Sequence, residues 1–218
     1  MTGQLAFDLP PIQALKRADF LVSDANALAL QAIDSWRDWP EGKLVLVGPE
    51  GSGKTHLAHI WAEATGAVIL PATALAQADL PALSGGAVVV EDAQTVPSEA
   101  ALFHLYNLAT AAGTPLLLTA DRPPRDWGLG LPDLLSRMQA VPVARLEPPD
   151  DALLSAVLVK LFADRQIVVS PALIPFLVSR MSRSVGDARA LVAALDARAL
   201  AAGKPVTRQL AADLLGVT

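Results

Sequence analysis

The stretch KLVLVGPEGSGKT, residues 43–55, decides the fold. Its first five residues, 43–47, are a lysine and four apolar residues, a pattern that predicts a short buried strand, and a glycine follows directly. Residues 48–55 fit the pattern G-x-x-x-x-G-K-[ST], in which glycines let backbone N–H groups turn toward phosphate oxygens. The helix predicted after the loop presents its positive N-terminal end to the same anion. We therefore predict a phosphate-binding loop between a strand and a helix.

Two side chains of this loop and two acids elsewhere would complete a nucleotide and magnesium site. Lys54 is predicted to reach the outer phosphates, and the hydroxyl of Thr55 to bind Mg²⁺. Glu91 and Asp92 follow the apolar run 88–90, and we assign Glu91 to Mg²⁺ and Asp92 to catalysis. The alternatives are a glycine turn that binds nothing and acids that merely end a strand.

Short apolar strands alternate with helices over the first two thirds of the chain, which predicts an α/β fold with a parallel sheet covered on both faces. The strands are predicted at residues 43–47, 67–70, 87–90, 116–119 and 141–146. After Glu147-Pro148-Pro149-Asp150 the pattern changes to helices alone, at about 151–165, 171–181, 185–201 and 207–215. We expect a tail over residues 1–18, a nucleotide-binding domain over residues 19–147 and a small helical domain over residues 148–218.

The composition excludes several classes of function. The 218 residues include no cysteine and three histidines, which excludes thiolate chemistry and disfavours a His-rich zinc site. The net charge of −5 argues against broad nucleic-acid binding. The 21 uncharged residues 100–120 contain the breaker Gly113-Thr114-Pro115, which predicts a helix, a turn and a strand rather than a membrane span. The N-terminal residues lack the pattern of a secretory signal, so we expect a soluble, cytoplasmic protein without a membrane partner.

Seven segments, taken in chain order, resemble those of AAA+ proteins of the DnaA branch. They are 19–22 with Asn26 (the adenine segment), 48–56 (the phosphate loop), 91–94 (the acidic strand end), 118–124 (the sensor 1 strand), 136–137 (the arginine-finger box), 147–149 (the entry to the lid) and 186–191 (the sensor 2 helix). The resemblance implies an AAA+ fold with a five-stranded parallel sheet, flanking helices and a small all-helical lid. It also implies bound ADP or ATP with Mg²⁺.

The same resemblance implies which residues contact the nucleotide. They are Leu21, Val22, Pro49, Gly51, Ser52, Gly53, Lys54, Thr55, His56 and Arg189. For His56, which lies three residues before His59, the alternatives are packing or capping, because a metal would need a third ligand. For Arg189 the alternative is an arginine on a solvated helix face.

The resemblance further implies that Arg137 is an arginine finger that acts in trans. Such an arginine neutralises the charge that develops on the γ-phosphate bound by a neighbouring molecule. The alternative is a surface ion pair with Asp133, four residues earlier.

Within the DnaA branch, the chain resembles the Hda family of DnaA-related regulatory proteins more than DnaA itself. Residues 105–107, 121–125 and 130–134 match the Hda pattern, and no DNA-reading segment is expected after the lid. The N-terminal QLAFDL, residues 4–9, resembles the short motifs that dock on the bacterial sliding clamp. Its clamp-binding residues would be Gln4, Leu5, Phe7 and Leu9, and the alternative is a flexible tail.

These resemblances imply a regulatory adaptor with weak or no ATP turnover of its own. It would bind the DNA polymerase III sliding clamp, stimulate hydrolysis of DnaA-bound ATP and so prevent re-initiation of chromosome replication. DNA would be reached only through the clamp, and a homodimer is compatible with this hypothesis. The alternative is a helicase-loader ATPase that acts on single-stranded DNA. A small-molecule kinase is disfavoured, because it would leave Arg137, Arg189 and the clamp-like motif without a role.

Overall fold

The computed structural model of the chain describes residues 15–216. The predicted clamp-binding residues Gln4, Leu5, Phe7 and Leu9 lie outside the described residues.

Five parallel strands form one sheet in the order β2-β3-β4-β1-β5. The strands are β1 (Lys43–Val47), β2 (Val68–Pro71), β3 (Val88–Glu91), β4 (Leu116–Ala120) and β5 (Val143–Arg145). The predicted parallel sheet is therefore confirmed, and each strand lies within two residues of its predicted bounds. Because β1 lies between β4 and β5, the loop that follows Val47 is flanked by strand ends on both sides.

Helices connect these strands and then continue alone to the end of the described chain. The helices of the α/β part are α1 (Ala27–Asp34), α2 (Lys54–Thr65), α3 (Leu80–Leu83), α4 (Glu99–Ala112) and α5 (Pro132–Ala140). The helices after it are α6 (Asp151–Asp164), α7 (Leu173–Val178), α8 (Val185–Ala202) and α9 (Arg208–Leu215). We refer to α6–α9 as the lid.

Two apolar cores cover the two faces of the sheet, and a third lies within the lid. On one face, α4 and α5 contribute fully buried side chains such as Leu102 and Leu134. On the other face, α1 and α2 contribute Ile33 and Trp61. The lid packs around its own cluster, with Phe162 near its centre. The sheet is thus buried on both sides, which is why its strands read as continuous apolar runs.

The start of α1 differs from the sequence prediction. The sequence favours Ser23 or Asp24 as the helix cap, but α1 begins at Ala27 with Asn26 at the N-cap position. The buried Asn26 side chain donates to the carbonyl of Leu21 (2.9 Å) and accepts from the N–H of Ser23 (3.0 Å). These bonds hold residues 21–26 in a turn, which delays the helix and fixes the segment that the sequence assigns to adenine.

The uncharged stretch 100–120 lies in α4, a turn and β4, as predicted. Over residues 15–216, no helix has the combination of length and apolar character that crossing a bilayer requires.

Candidate nucleotide-binding site

The loop between β1 and α2 has the backbone geometry of a phosphate cradle. Gly51 and Gly53 have φ angles of +70° and +106°, a left-handed conformation that residues with a side chain rarely adopt. Gly53 occupies the N-cap position of α2 and offers no side-chain cap, so the first N–H groups of the helix are left for another acceptor. An anion such as phosphate is the acceptor that this end of a helix favours.

Lys54, the first residue of α2, folds back over its own loop. Its ammonium group donates to the carbonyl oxygens of Gly48 (2.7 Å) and Pro49 (3.0 Å). Burial lowers the pKa of Lys54, while the charges of Asp92 and Asp121 oppose that shift. An ammonium has three donors, so one remains for a phosphate oxygen while the other two hold the loop.

Buried polar atoms around the loop and at the end of β3 fit a polar ligand. The hydroxyl of Ser52 and one side-chain oxygen each of Glu91 and Gln94 are buried without a hydrogen-bond partner in the protein. Buried polar groups nearly always form a hydrogen bond, so these oxygens are expected to bind a partner such as a nucleotide, a metal ion or water. The residues present therefore fit the predicted nucleotide.

The acidic strand end lies beside Lys54. Glu91 is the last residue of β3, and Asp92 follows it in a left-handed conformation with φ +53°. The N–H of Asp92 donates to the hydroxyl of Thr119 on β4 (3.1 Å), and Thr119 is buried. This bond joins the end of β3 to the sensor 1 strand, so the two acids are held at the same edge of the sheet as the loop.

A magnesium ion at this edge would depend on the nucleotide for part of its ligand shell. Among residues 15–216 there is no group of three or more His, Cys, Asp or Glu side chains placed to hold a metal by themselves. Mg²⁺ commonly binds through one or two protein ligands together with phosphate oxygens and water. The exposed Thr55 and the half-buried Glu91 would be those two ligands.

The chain before α1 packs against α2. His56 is buried, its Nε2 lies 2.9 Å from the carbonyl oxygen of Lys16, and its ring meets that of Phe20 edge to face at 5.1 Å. Burial lowers the pKa of His56, which favours the neutral ring at pH 7. These contacts show His56 in a packing role; its direct contact with a nucleotide stays a prediction. Gly53 also lies against Phe20, where an added Cβ would come within 3.6 Å of the ring.

The adenine segment offers apolar surface next to this region. Leu21 is half-buried and Val22 is 58% exposed, and both lie in the turn that Asn26 holds. Their contact with a base stays a prediction.

The lid touches the phosphate loop directly. The N–H of Val185, at the start of α8, donates to the carbonyl oxygen of Gly51 (2.9 Å). A second contact joins the ammonium of Lys160 on α6 to the carboxylate of Asp19 (2.9 Å), and this ion pair lowers the pKa of Asp19. Arg189 is half-buried; its burial lowers its pKa and the charge of Asp19 opposes that shift. Arg189, the predicted sensor 2 arginine, is four residues after Val185 on α8 and so lies about one helical turn from the contact between the lid and the loop.

Gly51 makes this contact sensitive to a single added carbon. A Cβ at Gly51 would overlap the hydroxyl of Ser184 and lie 2.8 Å from the Ser184 Cβ. Gly66 has the same φ of +70°, but a Cβ there would meet nothing within 4 Å. The two positions therefore share the backbone strain and differ in the contact with the lid.

We expect Gly51→Ala to lower the free energy of unfolding by about 2–4 kcal/mol, because backbone strain and overpacking add. Gly66→Ala should cost only the strain, about 1 kcal/mol. Urea titration gives both values, and amide hydrogen exchange at Val185 reports whether the lid has left the loop. Equal losses in the two variants, with Val185 still protected, would contradict the close packing of lid and loop.

Arg137 lies away from the other predicted site residues. Its guanidinium carbon is 5.2 Å from the ring centroid of Phe103 and 5.5 Å from that of Tyr106. The Tyr106 ring in turn lies 4.7 Å from the ammonium of Lys43, the first residue of β1. The phosphate loop follows the last residue of β1, Val47, about 13 Å further along the strand at 3.3 Å per residue. Arg137 thus lies where the parallel strands begin, whereas its own phosphate loop lies where they end. We call these two sides the opposite edges of the sheet.

The alternative role for Arg137 was an ion pair with Asp133. Over the described range 15–216, no carboxylate oxygen lies within 4.0 Å of the Arg137 guanidinium, and the group rests on aromatic rings instead.

Several side-chain contacts that build the site are not predicted from the sequence. Thr119, Ser184 and the pair of Asp19 and Lys160 connect elements that are distant in the sequence. Only Ser184 has a local signal, because it stands three residues before Asp187 in a helix-capping pattern and accepts from the Asp187 N–H.

No protein-family model matches the sequence. Solved structures do match it over most of its length. Domain III of the replication initiation protein DnaA from Thermotoga maritima gives a TM-score of 0.77 at 20% identity, covering 92% of this chain and 95% of that one. AMPPCP-bound DnaA from Aquifex aeolicus gives 0.69 at 16% identity, covering 81% of this chain and 63% of that one. The Holliday junction branch migration motor RuvB from Thermotoga maritima gives 0.67 at 19% identity, covering 85% and 64%.

The fold is therefore that of the AAA+ class, with a five-stranded parallel sheet, flanking helices and a helical C-terminal region. Within this class it is a DnaA-like AAA+ fold. The chain spans about two thirds of the length of the longer DnaA structures that it matches.

Proposed function

We propose that this protein is a DnaA-related regulatory adaptor of the Hda type, acting in the cytoplasm. It binds an adenine nucleotide with Mg²⁺, docks on the sliding clamp and stimulates hydrolysis of the ATP bound to DnaA. The initiator is thereby converted to its ADP form, which prevents re-initiation of replication. DNA is reached through the clamp.

The observation that carries the proposal is the position of Arg137. Arg137 is exposed and lies at the opposite edge of the sheet from its own phosphate loop, which supports a role on the nucleotide of another molecule. The DnaA-like fold supports DnaA as that molecule, because residues 136–137 resemble a box whose arginine reaches a neighbouring subunit in the AAA+ superfamily. The planar guanidinium stays charged and binds phosphate oxygens in pairs, which suits it to a γ-phosphate.

Adenine nucleotide binding is supported by the site and by the similarity to AMPPCP-bound DnaA. The loop N–H groups and Lys54 would bind and orient the phosphates, and Thr55 and Glu91 would be the protein ligands of Mg²⁺. Arg189 of the lid would bind phosphate oxygens of a nucleotide held by the loop, and this would favour the observed contact between the lid and the loop. We propose ADP as the working nucleotide, with little turnover by the protein itself.

Clamp docking rests on the motif at residues 4–9, which lies outside the described residues. An extended peptide can place Leu5, Phe7 and Leu9 in a preformed apolar groove while Gln4 makes hydrogen bonds.

A reconstituted assay tests the proposal. Purified protein with ADP, clamp, primed DNA and ATP-loaded DnaA should accelerate ATP hydrolysis, and omission of the clamp should remove the acceleration. The double variant Gln4→Ala, Phe7→Ala should lose clamp binding and stimulation but keep its affinity for ADP, whereas Thr2→Ala should behave as wild type. Stimulation that persists without the clamp or in the double variant would refute the docking role. Strong turnover by the protein itself with single-stranded DNA would favour a helicase loader instead.

A further inference from the structure

We infer that one face of α4 positions Arg137 for its action on a partner's nucleotide, with Tyr106 as the main positioning residue. The inference rests on the proposed function of Arg137. Three side chains carry it, Glu99, Phe103 and Tyr106, which recur at i, i+4 and i+7 and so share one face of α4. They contact the helix α5 that bears Arg137 at both of its ends.

Glu99 holds the beginning of α5. Its two carboxylate oxygens accept from the N–H of Gly130 (2.9 Å) and the N–H of Leu131 (2.7 Å). Leu131 is the N-cap residue of α5, and Pro132 after it has no N–H to offer. A carboxylate is also the group that the positive end of a helix favours. Glu99 therefore fixes where α5 starts relative to α4.

Phe103 and Tyr106 hold the other end. Arg137 lies in the last turn of α5, and its guanidinium rests on both rings at 5.2 and 5.5 Å. Leu134 and Met138, the fully buried residues of α5, keep the helix itself from rotating. The backbone of Arg137 is thus held by packing, and its side chain by the rings.

The Tyr106 ring is fixed by groups at the beginning of β1. Its hydroxyl donates to a carboxylate oxygen of Glu41 (3.3 Å), and the ammonium of Lys43 donates to the Glu41 carbonyl oxygen (2.9 Å). Lys43 is only 2% exposed, and its burial lowers its pKa. A lysine so deeply buried has few alternative positions, so the ring that it faces is held firmly.

Two cations, those of Lys43 and Arg137, therefore share one ring. Like charges repel, and Lys43 is buried while Arg137 is exposed, so Arg137 is the side chain that is free to move in response. A cation–π contact at an exposed site is also weaker than a charge-assisted hydrogen bond to phosphate. The rings therefore restrict the guanidinium to few orientations without holding it so tightly that it cannot move to a phosphate.

Removal of the ring should lower the maximal rate of stimulated hydrolysis without weakening the complex. We expect Tyr106→Leu to lower that rate about ten-fold, because a mobile arginine spends less time in a productive orientation. Tyr106→Phe keeps the ring and loses only the bond to Glu41, so it should retain at least about half of the rate. The concentration that gives half-maximal stimulation should be the same in all variants. His104→Ala, an exposed neighbour on the same helix, is the matched control.

A second measurement needs no partner. In the protein labelled at arginine with ¹⁵N and ¹³C, the side-chain signals of Arg137, identified by their loss in Arg137→Lys, should show ring-current shifts from both rings. These shifts should become smaller in Tyr106→Leu, which keeps only the ring of Phe103, and should persist in Tyr106→Phe. Melting curves separate loss of folding from loss of positioning. If Tyr106→Leu keeps the full maximal rate, the positioning role is overturned while the stimulation by wild type still stands. If wild type gives no stimulation at all, both the proposed function and this inference are wrong.

Discussion

Replacement of Arg137 by alanine should lower the stimulated hydrolysis of DnaA-bound ATP to the rate seen without this protein. In the best-studied nucleotide hydrolases an arginine supplied in trans is worth about 10³ to 10⁵ in rate, so the loss should be nearly complete. The reason is electrostatic: the guanidinium neutralises charge that develops on the γ-phosphate, in a site from which water is largely excluded. Arg137→Lys keeps the charge but loses the planar pair of donors, so it should rescue only a small part of the effect.

The measurement is single-turnover hydrolysis of DnaA-bound ATP in the presence of clamp and primed DNA. Arg125→Ala is the matched control, because Arg125 is exposed on the segment before α5. The affinity of Arg137→Ala for ADP should equal that of wild type, since Arg137 lies at the opposite edge of the sheet from its own phosphate loop. Full stimulation by Arg137→Ala would show that another group acts as the finger.

Replacement of Lys54 by methionine should weaken binding of ADP and ATP at least 100-fold, about 3 kcal/mol. Charge-assisted hydrogen bonds contribute about 1.5–3 kcal/mol each, and burial of Lys54 strengthens its interaction with phosphate. Methionine has a similar length and keeps the apolar contacts of the side chain. The variant also loses the two bonds to the loop carbonyls of Gly48 and Pro49, so the loop itself should become less ordered.

Isothermal titration calorimetry with ADP measures this effect, and circular dichroism confirms that the fold is kept. Lys204→Met removes an exposed lysine of the lid and should bind ADP as wild type does. Affinity within about three-fold of wild type in Lys54→Met would mean that the loop does not bind phosphates in the way its sequence predicts.

The parts of the fold that the sequence predicts best are those in which the deciding chemistry is local. β1 has its predicted bounds because its apolar residues end at a glycine. The sequence also predicts Ser98 as the cap of a helix over residues 98–111, and Ser98 caps α4 by accepting from the Ala101 N–H. The phosphate loop is recognisable for the same reason, since glycine, lysine and threonine stand in one short segment.

The parts that the sequence does not predict depend on contacts between distant residues. α1 starts late because the Asn26 side chain bonds the turn before it. The apolar pattern predicts Leu28 on the same face of the helix as Ile33 and Trp36, but Leu28 is 76% exposed, while Ala29 is fully buried. Alanine suits a close contact between elements because its side chain is small. Alanine is also only weakly hydrophobic, so the hydrophobic pattern of the sequence does not mark it as a buried residue. The contact of Arg137 with the rings of Phe103 and Tyr106 likewise forms only when α4 and α5 are packed together, so the sequence alone does not predict it.

The separation of Arg137 from the phosphate loop also restricts the symmetry of any complex. A contact in which Arg137 of one molecule meets the phosphate loop of another joins two different surfaces, and is therefore head-to-tail. A two-fold dimer buries the same patch on both copies, so a patch centred on Arg137 meets the Arg137 of the second copy rather than its phosphate loop. A homodimer whose two-fold axis passes near Arg137 would leave its arginines outside each other's nucleotide sites. A head-to-tail pair would instead leave the Arg137 of one molecule and the phosphate loop of the other uncovered. It could therefore bind a further AAA+ domain at either side.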